Sequence, residues 1–177
     1  MILKNSKGQE SIVFEVLIAV ILMTFVFIIG GYAMTSLNQT KCSKEVDSTM
    51  SQLAVAIEKA GSVSIGSYYY TFSESSCFRD NNTTYILKEE TSALCSSYCP
   101  GSTQCYLLKY NNSSDPVSTV RYKCVNISRY VTFNGGSCTN PPDAGYETLP
   151  GLTFSSGNYI FESYSLGNPE ICIYIKK

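Results

Sequence analysis

Residues 16–40 run for 25 positions without a charged side chain. The first part of that run, VLIAVILMTFVFIIG, is almost wholly aliphatic or aromatic. With Ile12, Val13 and Phe14 ahead of it the apolar stretch reaches about 20 residues, which as a helix spans a hydrocarbon core of roughly 30 Å. No polar stripe accompanies it, so it does not read as the amphipathic helix of a soluble domain. Lys4 and Lys7 lie close before the run, whereas Lys41 and Lys44 follow well after it. That asymmetry places the N-terminus in the cytoplasm and the rest of the chain outside.

Everything after the run agrees with an exported compartment. All eight cysteines (Cys42, Cys77, Cys95, Cys99, Cys105, Cys124, Cys138 and Cys172) lie there, and an even number confined to that side reads as disulfides. So do six Asn-x-Ser/Thr tripeptides, at Asn38, Asn81, Asn82, Asn111, Asn112 and Asn126, which are candidate N-glycosylation acceptors. The chain has no His, which removes Ser-His-Asp and Cys-His catalysis, HExxH metalloprotease sites and Cys2His2 zinc sites. An enzyme is therefore not expected. A net charge of −1 with thinly spread Lys and Arg argues against a nucleic-acid partner. Cys95, Cys99 and Cys105 lack the paired Cys-x2-Cys knuckles of zinc ribbons, and the acidic residues lack EF-hand spacing, so neither a metal nor a cofactor is expected.

The helix should continue past the apolar run. Gly30-Gly31 weakens it and marks a candidate kink. Beyond them Cys42, Val46, Met50, Leu53, Ile57 and Ala60 fall within an arc of about 80° at 100° per residue, one apolar stripe. Lys41, Lys44, Asp47, Gln52 and Lys59 take the other side. Ala60-Gly61 reads as the helix end, with Gly61 as a left-handed cap. A helix over residues 10–60 would be about 75 Å long. Cys42 lies on the stripe, so its sulfur is expected to bond to the region that the stripe packs on.

Residues 62–177 read as β-rich. Segments 67–72, 84–88, 105–110, 117–125, 129–133, 159–164 and 170–175 carry β-branched and aromatic residues between Gly, Pro and Asn clusters. No connection is long enough for a crossover helix, so the expected class is α+β: a long N-terminal helix packed on an antiparallel, disulfide-stapled β head. The last strand alternates, Ile171, Ile173 and Ile175 on one face and Cys172 and Tyr174 on the other. The Cys95/Cys99/Cys105 cluster is expected to hold a local bridge. Tyr68-Tyr69-Tyr70 must place rings on both faces of a strand, one of them exposed, as a half-buried strand or as a stacking surface for sugars or neighbouring subunits.

The extreme N-terminus has a distinctive order: a short basic leader, Lys7-Gly8-Gln9, Ser11, Glu15, then the unbroken apolar helix. An ordinary secretory signal has a shorter apolar core and a small-residue cleavage site after it. Over about residues 4–34 the order instead resembles the class III signal peptide of archaeal type IV pilin-like proteins. That resemblance implies a leader at 1–8, a long helix at 9–61 and an extracellular head at 62–177. It further implies cleavage by a prepilin peptidase between Gly8 and Gln9. The cut makes Glu15 the seventh mature residue, where many pilins carry their glutamate fifth; a cut after Glu10 would restore the family spacing, while the small Gly8 favours the earlier bond.

By the same resemblance the chain is a structural subunit of an adhesive surface filament. It would lie in the cytoplasmic membrane before assembly, then be built by pilus machinery into a helical homopolymer through its N-terminal helix. Glu15 would pair with the new N-terminal amine of another subunit in the filament core; the alternative is that it snorkels to the headgroups. Two rival readings share the helix: a singly anchored, disulfide-rich surface receptor or adhesin that never polymerises, and a low-abundance pilin-like part of a secretion or uptake machine.

Overall fold

The computed structural model describes residues 7–62, 65–75, 77, 83–91, 93–101, 104–112, 115, 119–127, 130–136, 138–164 and 169–177, with side chains in the first helix from Val13 onward. The fold is α+β. Helix α1 (Lys7–Ser62) is followed by β1 (Gly66–Phe72), β2 (Thr84–Thr91), α2 (Ala93–Tyr98), β3 (Gln104–Asn111) and β4 (Val120–Val125). Then come β5 (Thr132–Phe133), β6 (Tyr146–Thr148), β7 (Thr153–Phe154), β8 (Gly157–Tyr164) and β9 (Glu170–Lys176). Contacts divide the chain into two compact units, Met1–Lys41 and Cys42–Lys177. The second half of α1 thus belongs to the head.

The expected stripe is what the head is built on. Val46, Met50, Leu53, Ile57 and Ala60 are all buried, while Lys41, Lys44, Asp47, Gln52 and Lys59 are exposed. α1 runs through Gly30-Gly31 as one element, since a glycine pair costs only about 2 kcal/mol of propensity in a helix this long. One expectation for this helix fails. Gly61 is not a left-handed cap: it is helical and buried, and a Cβ there would meet Ile127 Cγ2 at 3.0 Å. Close approach of helix and loop, not φ, requires glycine at this point.

Two sheets complete the core. One has the order β1-β8-β9-β5, with β6 also on β9; the other has the order β4-β3-β2-β7. Pairing is antiparallel except between β5 and β9, a parallel pair where antiparallel was expected. The strands β6 and β7 and the helix α2 were not anticipated, being too short to carry a period. Phe72, Tyr85, Tyr106, Tyr110, Phe154, Tyr159 and Phe161 join the helix stripe in one core. Phe72 meets Tyr85 edge-on at 5.2 Å, and Tyr106 meets Phe133 so at 5.1 Å. β9 alternates as expected, but both faces are covered: Ile171 and Ile173 enter the main core, Cys172 and Tyr174 a smaller one with Cys138 and Ile160.

All eight cysteines are paired: Cys42–Cys77, Cys95–Cys105, Cys99–Cys124 and Cys138–Cys172. Cys42 ties the helix to the head, and Cys95–Cys105 is the local bridge. Cys99 N–H donates to Cys95 O at 2.7 Å, so α2 presents both sulfurs on one side, one toward β3 and one toward β4.

Two buried phenols each hold the N–H and the C=O of a single residue. Tyr106 accepts from Val131 N–H at 3.1 Å and donates to Val131 O; Tyr159 accepts from Ser155 N–H at 2.9 Å and donates to Ser155 O at 2.6 Å. Burial raises the phenol pKa of Tyr70, Tyr85, Tyr106, Tyr110 and Tyr159 above the ordinary 10. Above pH about 10 the unfolded chain therefore loses these protons while the folded head keeps them, and stability falls as pH rises. Alkaline titration should show a phase of tyrosinate absorbance that rises together with loss of β-sheet dichroism above pH about 10. Smooth titration of these tyrosines at ordinary pKa with the fold intact would contradict it.

Candidate functional site

The candidate functional surface is the apolar half of α1. From Val13 to Thr40 every side chain is exposed, including Phe14 at 65%, Phe25 at 60% and Phe27 at 75%. Among the described residues this is one helix long and apolar enough to cross a membrane. Its threonine hydroxyls are satisfied within the helix. Thr24 Oγ1 donates to Val20 O at 2.8 Å, Thr35 Oγ1 to Gly31 O at 3.0 Å and Thr40 Oγ1 to Ser36 O at 2.9 Å. A helix whose backbone and threonine hydroxyls bond internally can sit in hydrocarbon or against other apolar helices at little polar cost. Gly30 and Gly31 present bare backbone, with nothing within 4 Å of where a Cβ would stand.

Glu15 lies on this surface with its side chain exposed. It is the one carboxylate among residues 13–40. Gly8 and Gln9 fall within the first turns of α1, which starts at Lys7; the Gln9 side chain lies outside the described residues, as do residues 1–6 of the expected leader.

The candidate glycosylation sites separate. Asn38, Asn111 and Asn126 are exposed. Asn112 is fully buried and its Nδ2 donates to Thr83 Oγ1 at 2.7 Å, so the folded head does not offer it to a glycan. Asn81 and Asn82 lie outside the described residues. Tyr69 is 58% exposed, while Tyr68 and Tyr70 turn inward against the core, the division expected of a half-buried strand.

Sequence reasoning missed the polar clamp on the first head-bound turn of α1. Arg121, on β4, pairs through Nη2 and Nε with Asp115. Its Nη1 donates to Ser43 O at 3.2 Å, Ser43 Oγ at 2.9 Å and Asp47 Oδ1 at 3.1 Å. The guanidinium stands 5.9 Å from the centroid of the Tyr110 ring. Beside it, Ser75 Oγ donates to Glu45 Oε1 at 3.0 Å, and Cys42–Cys77 crosses the same turn. At the far end Asn126 N–H donates to Glu58 Oε1 at 2.7 Å. No spacing rule links residues 43, 47, 115 and 121, so only the fold reveals the cluster. Asn134, with φ of 48°, accepts from Ile173 N–H at 2.7 Å and donates to Leu149 O at 2.9 Å through its side chain.

Cys138, Glu170 and Cys172 bring potential metal ligands together, but the two sulfurs are bonded to each other as a disulfide.

Compared with known proteins, the chain matches no family model, no curated protein and no solved structure. The chemistry that the surface supports is apolar association, with one carboxylate as its polar element.

The two arms of the clamp differ in burial, and this sets their worth. The Asp115 side chain is 0% exposed and that of Asp47 62%. Arg121→Met takes the guanidinium away from a buried carboxylate and should destabilise the head by about 3–5 kcal/mol, whereas Asp47→Ala should cost under about 1 kcal/mol. Chemical denaturation of the two variants checks the contrast; equal losses would show that Asp115 does not depend on Arg121.

Proposed function

We propose that this chain is a structural subunit of an archaeal type IV pilus-like surface filament that serves adhesion. The observation that carries the reading is the bare apolar half of α1, exposed along its length and bearing Glu15 near its start. Before assembly the bilayer covers this surface. In the filament the helices of other copies replace the lipid, and the disulfide-bonded head faces outward. A prepilin peptidase removes residues 1–8 at Gly8-Gln9, and the assembly machinery then draws subunits from the membrane. The chain acts on no substrate and binds no nucleic acid.

Glu15 supplies the register. Leader removal leaves an α-amino group at Gln9, and in an apolar filament core neither that amine nor an isolated carboxylate is cheap to leave unpaired. Pairing Glu15 with the amine of another copy admits one axial offset and rejects others. A singly anchored receptor or adhesin uses the same helix as an anchor, with Glu15 reaching the headgroups and no second copy needed.

Glu15→Gln separates the two. It should leave membrane insertion and leader removal intact and lower filament yield at least about tenfold, the factor that 1.4 kcal/mol represents. Wild-type amounts of filament from this variant would remove Glu15 from assembly.

A further inference from the structure

Strand β1 is an open sheet edge of unusual composition. Among the described residues it pairs only with β8, in an unbroken register from Gly66↔Ser163 to Phe72↔Gly157. In an antiparallel ladder alternate residues turn N–H and C=O to the same side, so every second residue of β1 directs both groups away from β8. Natural edges of this kind are blunted with charges, proline or bulges. The sequence GSYYYTF has no charge and no proline, and its register has no bulge.

Beside this edge lies an apolar groove of about 350 Å³. Gln52, Val55, Ala56 and Lys59 of α1 form one wall, and Tyr68 and Tyr70 of β1 the other. A recess of about 290 Å³ at the Gly66 end shares Lys59 and Tyr68 with it. Among the described residues, five large hydrophobic side chains are exposed on the head: Val55 at 46%, Ile65 at 66%, Tyr69 at 58%, Tyr98 at 43% and Tyr130 at 59%. Three of the five, Val55, Ile65 and Tyr69, belong to this groove, to β1 or to the residue before it. A row of backbone donors and acceptors beside an apolar trough calls for an extended peptide: its backbone satisfies the edge, and its alternate side chains fill the trough.

Charge sets the direction. The one ionic group lining groove and recess is Lys59, whose Nζ lies 5.8 Å from the Tyr68 ring centroid at the N-terminal end of β1. A segment added antiparallel brings its own C-terminal end there, so an acidic residue at that end meets Lys59. A second copy of β1 does not meet this requirement. The carboxylate that follows it, Glu74, already accepts from Ser156 N–H at 3.0 Å.

We propose that the β1 edge and the adjoining α1 groove form a docking site for an extended segment of another protein, apolar at alternate positions and acidic at its C-terminal end, added as a further strand of the sheet. The site is independent of whether the chain polymerises.

The test titrates the full chain in detergent micelles with the peptide acetyl-Val-Thr-Val-Thr-Val-Thr-Glu. Binding is expected with a Kd of about 10–100 μM. Amide exchange over residues 66–72 should slow on binding. Two forms of the peptide, N-methylated at one or the other set of alternate residues, distinguish strand addition from apolar adhesion. One form should lose at least about tenfold in affinity and the other should keep it. Lys59→Glu alters an exposed residue and should weaken the peptide about tenfold, and ending the peptide in Lys should restore binding to that variant. The proposal is overturned by no binding at about 1 mM, by equal binding of both methylated forms, or by indifference to Lys59→Glu. It is equally overturned by a dimer that protects residues 66–72 without any peptide, which would make the occupant a second copy.

Discussion

The burial of one stripe of α1 in the head is the contact on which the rest of the structure depends. Val46, Met50, Leu53 and Ile57 are at most 2% exposed, and the core aromatics are ranged around them. Each such side chain contributes roughly 1.5–3 kcal/mol by leaving water. The other helix among the described residues, α2, packs in a separate small cluster and does not close this core. α1 in turn cannot be exchanged for a shorter helix, because the same rod continues into an apolar half that the head leaves exposed. One element therefore serves two solvents: a protein interior for its second half and hydrocarbon, or other helices, for its first.

This arrangement explains why the turn around Cys42 is so heavily fastened. A force acting on the apolar half is transmitted to the head at this point. Here a disulfide, the Glu45–Ser75 hydrogen bond and the Arg121 clamp converge on residues 42–47. The other three disulfides work away from the helix. Two fasten α2 to the sheet of β3 and β4, and Cys138–Cys172 fastens the segment before β6 to the outer face of β9. A head that sets two small clusters apart from its main core gains from restricting the unfolded chain, at roughly 2–4 kcal/mol per bridge.

Much of this was legible in the residues. The apolar run, the stripe from Cys42 to Ala60, the β segments and the tie between Cys42 and the head rest on periodicity and spacing, which act locally. What escaped was set by tertiary approach. Gly61 looked like a cap, yet it is glycine because Ile127 lies against it. Asn112 carried a glycosylation tripeptide, yet its amide is spent inside the fold on Thr83. The Arg121 cluster joins four positions from two distant segments, and the short strands β6 and β7 exist only because β9 and β2 offer them edges. For the apolar half of α1 the reverse holds. Its exposure was written in the unbroken run itself, and Glu15 stood out as a carboxylate where none is comfortable.

The central claim is that the bare half of α1 is an assembly surface as well as a membrane anchor. The most direct measurement is the intact mass and N-terminal sequence of the protein in material sheared from the cell surface. The account predicts filaments there whose subunit begins at Gln9, retains the apolar helix and has no free thiol. A protein that stays wholly with the membrane fraction and keeps residues 1–8 would contradict it.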